Sequence, residues 1–174
     1  MSILKVGRIG HPIIRRKART VEPAMIRSRD FQKLIDDMVE TMHEYDGVGV
    51  AGPQVHVGYR IAVLQVPERD GRGGRKGVPL TVLINPTVTP ASEKKVFDIE
   101  GCLSVPELRG LVPRFEKVRL EALDRHGKPF SVVASGFHAR VIQHECDHLD
   151  GHVYLDRMDG MKSLGFLEEM SRFA

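Results

Sequence analysis

Two cysteines in 174 residues cannot build a disulfide framework, so the fold has to rest on a packed core. No apolar run approaches the ~18 residues that a membrane span needs, which argues against a helical membrane protein. From Met1 to Thr20 the chain scatters Lys5, Arg8, Arg15, Arg16, Lys17 and Arg19 where a secretory signal needs an unbroken apolar core. Gly10 and Pro12 would break the amphipathic helix of an organellar transit peptide. These absences point to a cytoplasmic protein with both thiols reduced. One-signed charge is scarce as well, because a formal net charge of +3 does not amount to a nucleic-acid footprint. Residues 1–23 do carry six Lys or Arg against the single Glu22, which reads as a solvated face, with transient ribosome contact as the alternative. Neither sequence-specific nucleic-acid binding nor a membrane partner is expected.

What is present is ordinary globular material: 41% apolar and 28% charged residues, without repeats, in a length suited to one domain over 1–174. A helix is expected from an N-cap at Ser28 to about Tyr45, with Phe31, Leu34, Ile35, Met38, Val39 and Met42 at helical spacing and Asp46-Gly47 as the stop. Strand-like runs follow at Arg60–Val66, Leu80–Asn85, Val96–Ile99, Val118–Leu123 and Phe130–Ser135, each bounded by Gly, Pro or Asp signals. Between the first two lies a charged, glycine-rich loop, Glu68 to Gly77, whose Arg72-Gly73-Gly74 reads as a flexible excursion. A second helix is expected over Gly136–Leu149, with Phe137, Val141, His144 and His148 on one side and Ile142, Cys146 and Leu149 on the other. Apolar groups on two sides mean burial on two sides. A third, amphipathic helix at about Ser163–Phe173 shows Leu164, Leu167, Met170 and Ser171 at one-turn spacing, as a packing or capping helix would.

The chemistry is carried by Gln143-His144-Glu145-Cys146-Asp147-His148. Two His four positions apart project from one helix face at a distance suited to a single metal ion, and Glu145 can act on water without becoming a ligand. A buried, hydrogen-bonded pair of histidines is the alternative. A catalytic metal normally has three protein ligands and an open position, so a third ligand is required. Cys146 points away from the His face, and Gly151 is a helix stop that throws His152 out of register. The longer protease pattern HExxHxxGxxH is followed through Gly151 and then broken by Tyr154. Glu168 or Glu169 would serve in a Glu-liganded protease, although both sit in the terminal helix. Cys102 remains, in Glu100-Gly101-Cys102-Leu103-Ser104, where Gly101 lets backbone approach the site and a thiolate beside a dication would lose its proton; a buried structural cysteine is the alternative.

At this point the sequence resembles the peptide deformylases. Gly47-Val48-Gly49-Val50-Ala51-Gly52-Pro53-Gln54, Glu100-Gly101-Cys102-Leu103-Ser104 and Gln143-His144-Glu145-Cys146-Asp147-His148-Leu149-Asp150-Gly151 match three motifs of that family in order and separation. Gly10-His11-Pro12 with Arg15, and Val105-Pro106 to Arg114, also fit, so the likeness spans almost the whole chain. It departs at Gly52, where the family usually has a second alanine; Pro53 offsets the freedom of that glycine, and Gln54 is expected to keep its position.

The resemblance implies an α+β fold with small antiparallel sheets around a central metal-binding helix, flanked by an N-terminal and a C-terminal helix. It implies that Cys102, His144 and His148 hold one divalent metal, ferrous iron in the cell with zinc, nickel or cobalt as substitutes. Glu145 would be the acid–base residue, with the Gln54 amide and the Leu103 backbone N–H facing the substrate carbonyl. The reaction would be removal of the formyl group from N-formyl-methionyl nascent peptides. Val48 and Gly49 would pair with the peptide backbone, Gly101 would let it approach, and Phe137 and Val141, on the His face, would line the methionine pocket or else simply pack the core. A metallo-endopeptidase of the HExxH type is the alternative, since the same metal, water and Glu would cleave a peptide bond. A non-catalytic protein with a closed structural metal would need a fourth protein ligand, and none stands near the motifs.

Overall fold

The computed structural model describes residues 2–68 and 76–173; the Arg72-Gly73-Gly74 loop thus lies outside the described residues. After a 3-10 turn at Pro12–Arg15 come α1 (Pro23–Ile26) and α2 (Arg29–Glu44). Ser28 caps α2 as expected, its side chain accepting from Phe31 N at 3.3 Å. The strands are β1 (Gly49–Ala51), β2 (Ile61–Val66), β3 (Val78–Pro90), β4 (Lys95–Cys102), β5 (Val105–Phe115), β6 (Lys117–Leu123), β7 (Pro129–Ser135) and β8 (Gly165–Phe166). α3 spans Gly136–Leu149 and α4 spans Leu167–Arg172.

Among the described residues β1-β2-β3-β6-β7 form one antiparallel sheet and β4-β5-β8 another. The alternation of side chains along a strand sorts the core into layers. Ile61 and Val63 of β2 join Phe31, Ile35, Met38 and Met42 of α2 on one face of the larger sheet. Ala62 and Leu64, with Leu83, Val118 and Leu120, meet Ala139, Val141, Ile142, Cys146 and Leu149 of α3 on the other. α3 also packs on β5 of the smaller sheet, so it lies between the two, and both its apolar sides are consumed.

α3 ends on a left-handed glycine. Gly151 has φ +81°, its N–H reaches His148 O at 3.2 Å, and His152 N reaches Asp147 O at 2.9 Å, the paired bonds that close a helix. A Cβ at Gly151 would also lie 2.6 Å from Arg15 O. Gly151→Ala is therefore expected to destabilise the fold by about 2 kcal/mol or more, read as a lower midpoint in urea unfolding. An unchanged midpoint would show that the terminus adapts freely.

β5 was not anticipated, because Pro106, Gly110 and Pro113 read as turn signals. A strand is formed there because Gln143 of α3 clasps Phe115, accepting from its N–H at 3.1 Å and donating to its C=O at 2.9 Å. The terminal helix starts at Leu167, since Gly165 and Phe166 pair with Arg109 and Leu108 instead. α4 buries no residue, so of the packing or capping roles that its pattern suggested the packing one is not met.

Candidate metal centre

β4 and α3 deliver three donor atoms to one point. Cys102 Sγ lies 3.2 Å from His148 Nε2, which lies 3.2 Å from His144 Nε2, and all three atoms fall within 4.8 Å of one another. Tetrahedral ligands at bond lengths near 2.0–2.3 Å stand about 3.5 Å apart, so a slight spreading accommodates an ion. His144 Nδ1 is taken by Glu100 Oε2 at 2.9 Å, leaving Nε2 directed at the sulfur. Burial alone would raise the Cys102 thiol, but the His148 and His144 rings outweigh it and hold that thiol well below its ordinary range. A sulfur and two imidazole nitrogens, mutually close, form a donor set that fits a divalent cation.

Behind the ligands stands a buried ionic cluster. Glu100 accepts two bonds from Arg114, at 2.9 and 3.0 Å, and one from Arg140 at 2.7 Å. Arg114 also reaches Asp147, which Arg157 approaches from the other side at 2.7 Å. Burial would push the Glu100 carboxyl up, but the bonds from His144 and Arg114 hold it far below the carboxylate range. Glu100 thereby fixes the ring orientation of His144.

Cys102 and His144 border a cavity of about 550 Å³, lined also by Gln54, Glu145, Leu103, Gly101, Val48 and Gly49. Phe137 and Val141 line it too, while Val141 also belongs to the α3 core and Phe137 packs on it. Glu145 is 3% exposed, and burial, partly countered by His144 and His148, pushes its carboxyl up to about 6. Its Oε2 has no hydrogen-bond partner among the described residues, and the absence of a Cβ at Gly49 makes its room, since one would lie 2.3 Å from Oε1. Gln54 Oε1 accepts from Ala51 N at 2.8 Å, which turns its Nε2 towards Ser104 Oγ at 3.3 Å and Cys102 Sγ at 3.5 Å. A Cβ at Gly52 would meet the Tyr59 and Val57 carbonyls at 2.8 and 2.9 Å, so this departure from the motif keeps the segment close-packed and Gln54 in place.

The competing ligands stand elsewhere. Cys146 is buried in the core, and burial pushes its thiol up to about 12. His152, beyond the helix stop, has its side chain 46% exposed, while Glu168 and Glu169 pair with Arg172 at the surface. Among the described residues Cys102, His144 and His148 form the single three-donor cluster.

A family model described as polypeptide deformylase matches residues 3–164. The chain belongs to this family. Peptide deformylase 2 of Pseudomonas putida is 42% identical over 166 residues, covering 95% of this chain and 93% of its own. The peptide deformylase of Leptospira biflexa is 40% identical over 171 residues, covering 98% and 96%. Among solved structures, a class I type b peptide deformylase from Acinetobacter baumannii with Met-Ala-Ser bound superposes with a TM-score of 0.81 at 34% identity, covering 90% of this chain and 100% of that one. The chain is accordingly a deformylase, a hydrolase that removes the N-terminal formyl group of formyl-methionyl peptides, and the family's dependence on a metal suits the three-donor cluster. The endopeptidase alternative is not favoured.

Sequence reasoning missed the roles of Glu100, Arg114, Arg140, Asp147 and Arg157. A signal existed for the first, since a ligating His usually donates its other ring nitrogen to a carboxylate, and Glu100 stands two residues before the candidate sulfur. Ser104, fully buried beside Gln54, had no such signal.

Proposed function

We propose that Cys102, His144 and His148 together hold one divalent ion, ferrous iron in the cell with zinc, nickel or cobalt as substitutes, and that residues 1–174 act as one catalytic unit on nascent chains in the cytoplasm. The observation that carries this reading is the convergence of these three donors, two of which share a cavity wall with Glu145, whose Oε2 has no hydrogen-bond partner among the described residues. When bound, such an ion acidifies water and polarises the formyl carbonyl. Glu145 takes a proton from the attacking water at Oε2 and returns it to the leaving amine. Gln54 Nε2 and the Leu103 N–H donate to the formyl oxygen as negative charge grows on it.

β1 is an edge strand of the larger sheet and β4 an edge strand of the smaller one. Val48 and Gly49 on one side, and Ile99 to Gly101 on the other, border the cavity, so an extended peptide would lie between two free edges and hydrogen-bond to backbone. Gly101 keeps that approach clear of a side chain. Phe137 and Val141 receive the methionine side chain. The near-balanced charges of α4, Arg172 against Glu168 and Glu169, lend no support to ribosome docking through the tail.

The enzyme is expected to hydrolyse N-formyl-Met-Ala-Ser at least about 100-fold faster, by kcat/KM, than the acetylated peptide, and to leave casein intact. Comparable turnover of the acetylated peptide, or new amine termini in casein, would overturn the assignment. Metal analysis after anaerobic purification tests the choice of iron.

A further inference from the structure

The outer face of the smaller sheet is apolar and exposed. β4 and β5 pair with Ile99 opposite Leu111 and Phe97 opposite Pro113, so these four side chains share one face. Gly101 and Arg109 belong to the same face, since a Cβ on Gly101 would lie 2.3 Å from Arg109 Nε. Glu100 and Val112 lie on the other, where Arg140 of α3 bonds to the Glu100 carboxylate and to the Val112 carbonyl. Phe97 is 53% exposed and Ile99 45%, while Leu111 and Pro113 are half-buried. β4 is also an unpaired edge among the described residues, and an edge strand with bare apolar side chains is a template for another extended chain.

This face continues the peptide cavity. Ile99, Gly101 and Arg109 border that cavity, whereas Phe97 stands beyond it. Cys102, the sulfur donor, ends β4. A peptide that holds its formyl group at the donors and pairs with β4 therefore runs antiparallel to it, from Cys102 towards Lys95. Its methionine side chain points to Phe137 and Val141 on the α3 side, and strand alternation turns the second, fourth and sixth residues to the outer face. With the second residue opposite Gly101, the fourth meets Ile99 and the sixth meets Phe97, about 14 Å along the strand from Gly101.

We propose that Ile99 and Phe97 select nascent chains by their fourth and sixth residues, favouring apolar side chains there, with the peptide added to β4 as a further strand. The inference deepens the reading in which the peptide lies between β1 and β4, and it carries recognition past the third residue.

The test compares kcat/KM of the metal-loaded enzyme on N-formyl-Met-Ala-Ser, N-formyl-Met-Ala-Ser-Ser-Ser-Ser and N-formyl-Met-Ala-Ser-Leu-Ser-Leu. The leucine peptide is expected to be at least about fivefold better than the serine peptide, through a lower KM at unchanged kcat, since the added contact is made equally in ground and transition state. Phe97→Ser should cut that gain to less than about twofold and leave N-formyl-Met-Ala-Ser within about twofold of the parent, whereas Phe97→Leu should retain the gain. Phe97 is a surface side chain, so both variants should keep the parent melting temperature. A peptide with its leucines at residues three and five, turned to the α3 side, should not respond to Phe97→Ser.

Equal kcat/KM on the leucine and serine peptides, a gain untouched by Phe97→Ser, or the same response from the three-and-five peptide would overturn the proposal. So would a dimer of the parent enzyme that Phe97→Ser dissociates in sedimentation, which would give the face to a second copy of the chain. If the parent fails on N-formyl-Met-Ala-Ser itself, the catalytic reading falls and this inference with it. A normal rate on that tripeptide without the leucine gain removes this inference alone.

Discussion

Replacing Glu145 by alanine is expected to lower kcat on a formyl-methionyl peptide by about 100- to 10,000-fold, the range that a positioned proton-transfer group contributes. Metal content should stay near that of the parent, because the carboxylate is not among the three converging donors. The carboxylate sits against Gly49, on the strand proposed to align the peptide backbone, so it is positioned relative to substrate as well as to the ligands. Glu145→Gln keeps nearly the same volume and removes only the basicity, and it should be nearly as inactive as Glu145→Ala. A glutamine variant with most of its turnover would mean that the side chain serves packing and not proton transfer. Loss of metal from the alanine variant would mean that it acts through the ligands.

The second large effect concerns the two cysteines, which share a chemistry and differ in surroundings. Cys102→Ser should weaken metal binding by more than the roughly 10- to 100-fold that loss of an outer partner costs, since a hydroxyl is a poor replacement for a thiolate. Cys146→Ser should leave metal affinity unchanged and instead cost about 1–3 kcal/mol of stability for a hydroxyl placed in the α3 core. Equilibrium dialysis with zinc and thermal unfolding separate the two losses. Similar metal loss in both variants, or the reverse order, would remove Cys102 from the donor set.

Why the donors were legible and their supports were not follows from where the signals reside. His144 and His148 are related by local helix geometry, and the same geometry turns Cys146 away, so a few adjacent residues carry that information. The positions of α2 and α3 were equally legible, each having a periodic apolar pattern and a cap or stop within a turn of its end. β5 was hidden because its stability is non-local: Pro113 and Gly110 argue against a strand until β4 on one side and the Gln143 amide on the other are in place. The Glu100–Arg114–Arg140 contacts join β4, β5 and α3, and no spacing in the chain announces them. The terminal helix was over-read because a one-turn apolar spacing says nothing about whether a partner surface exists.

The burial of the ionic cluster behind His144, set against the exposure of the Arg172 pairs on α4, gives the molecule an uneven response to dissolved salt. Counter-ions at about 1 M shorten the Debye length to roughly 3 Å and weaken attraction between solvated groups, but they scarcely reach charges enclosed by protein. Molar sodium chloride should therefore speed amide exchange in the last helix while the amides of α3 keep their protection. Under brine the molecule should fray from its tail inwards, with the hydrolytic centre the last part to notice.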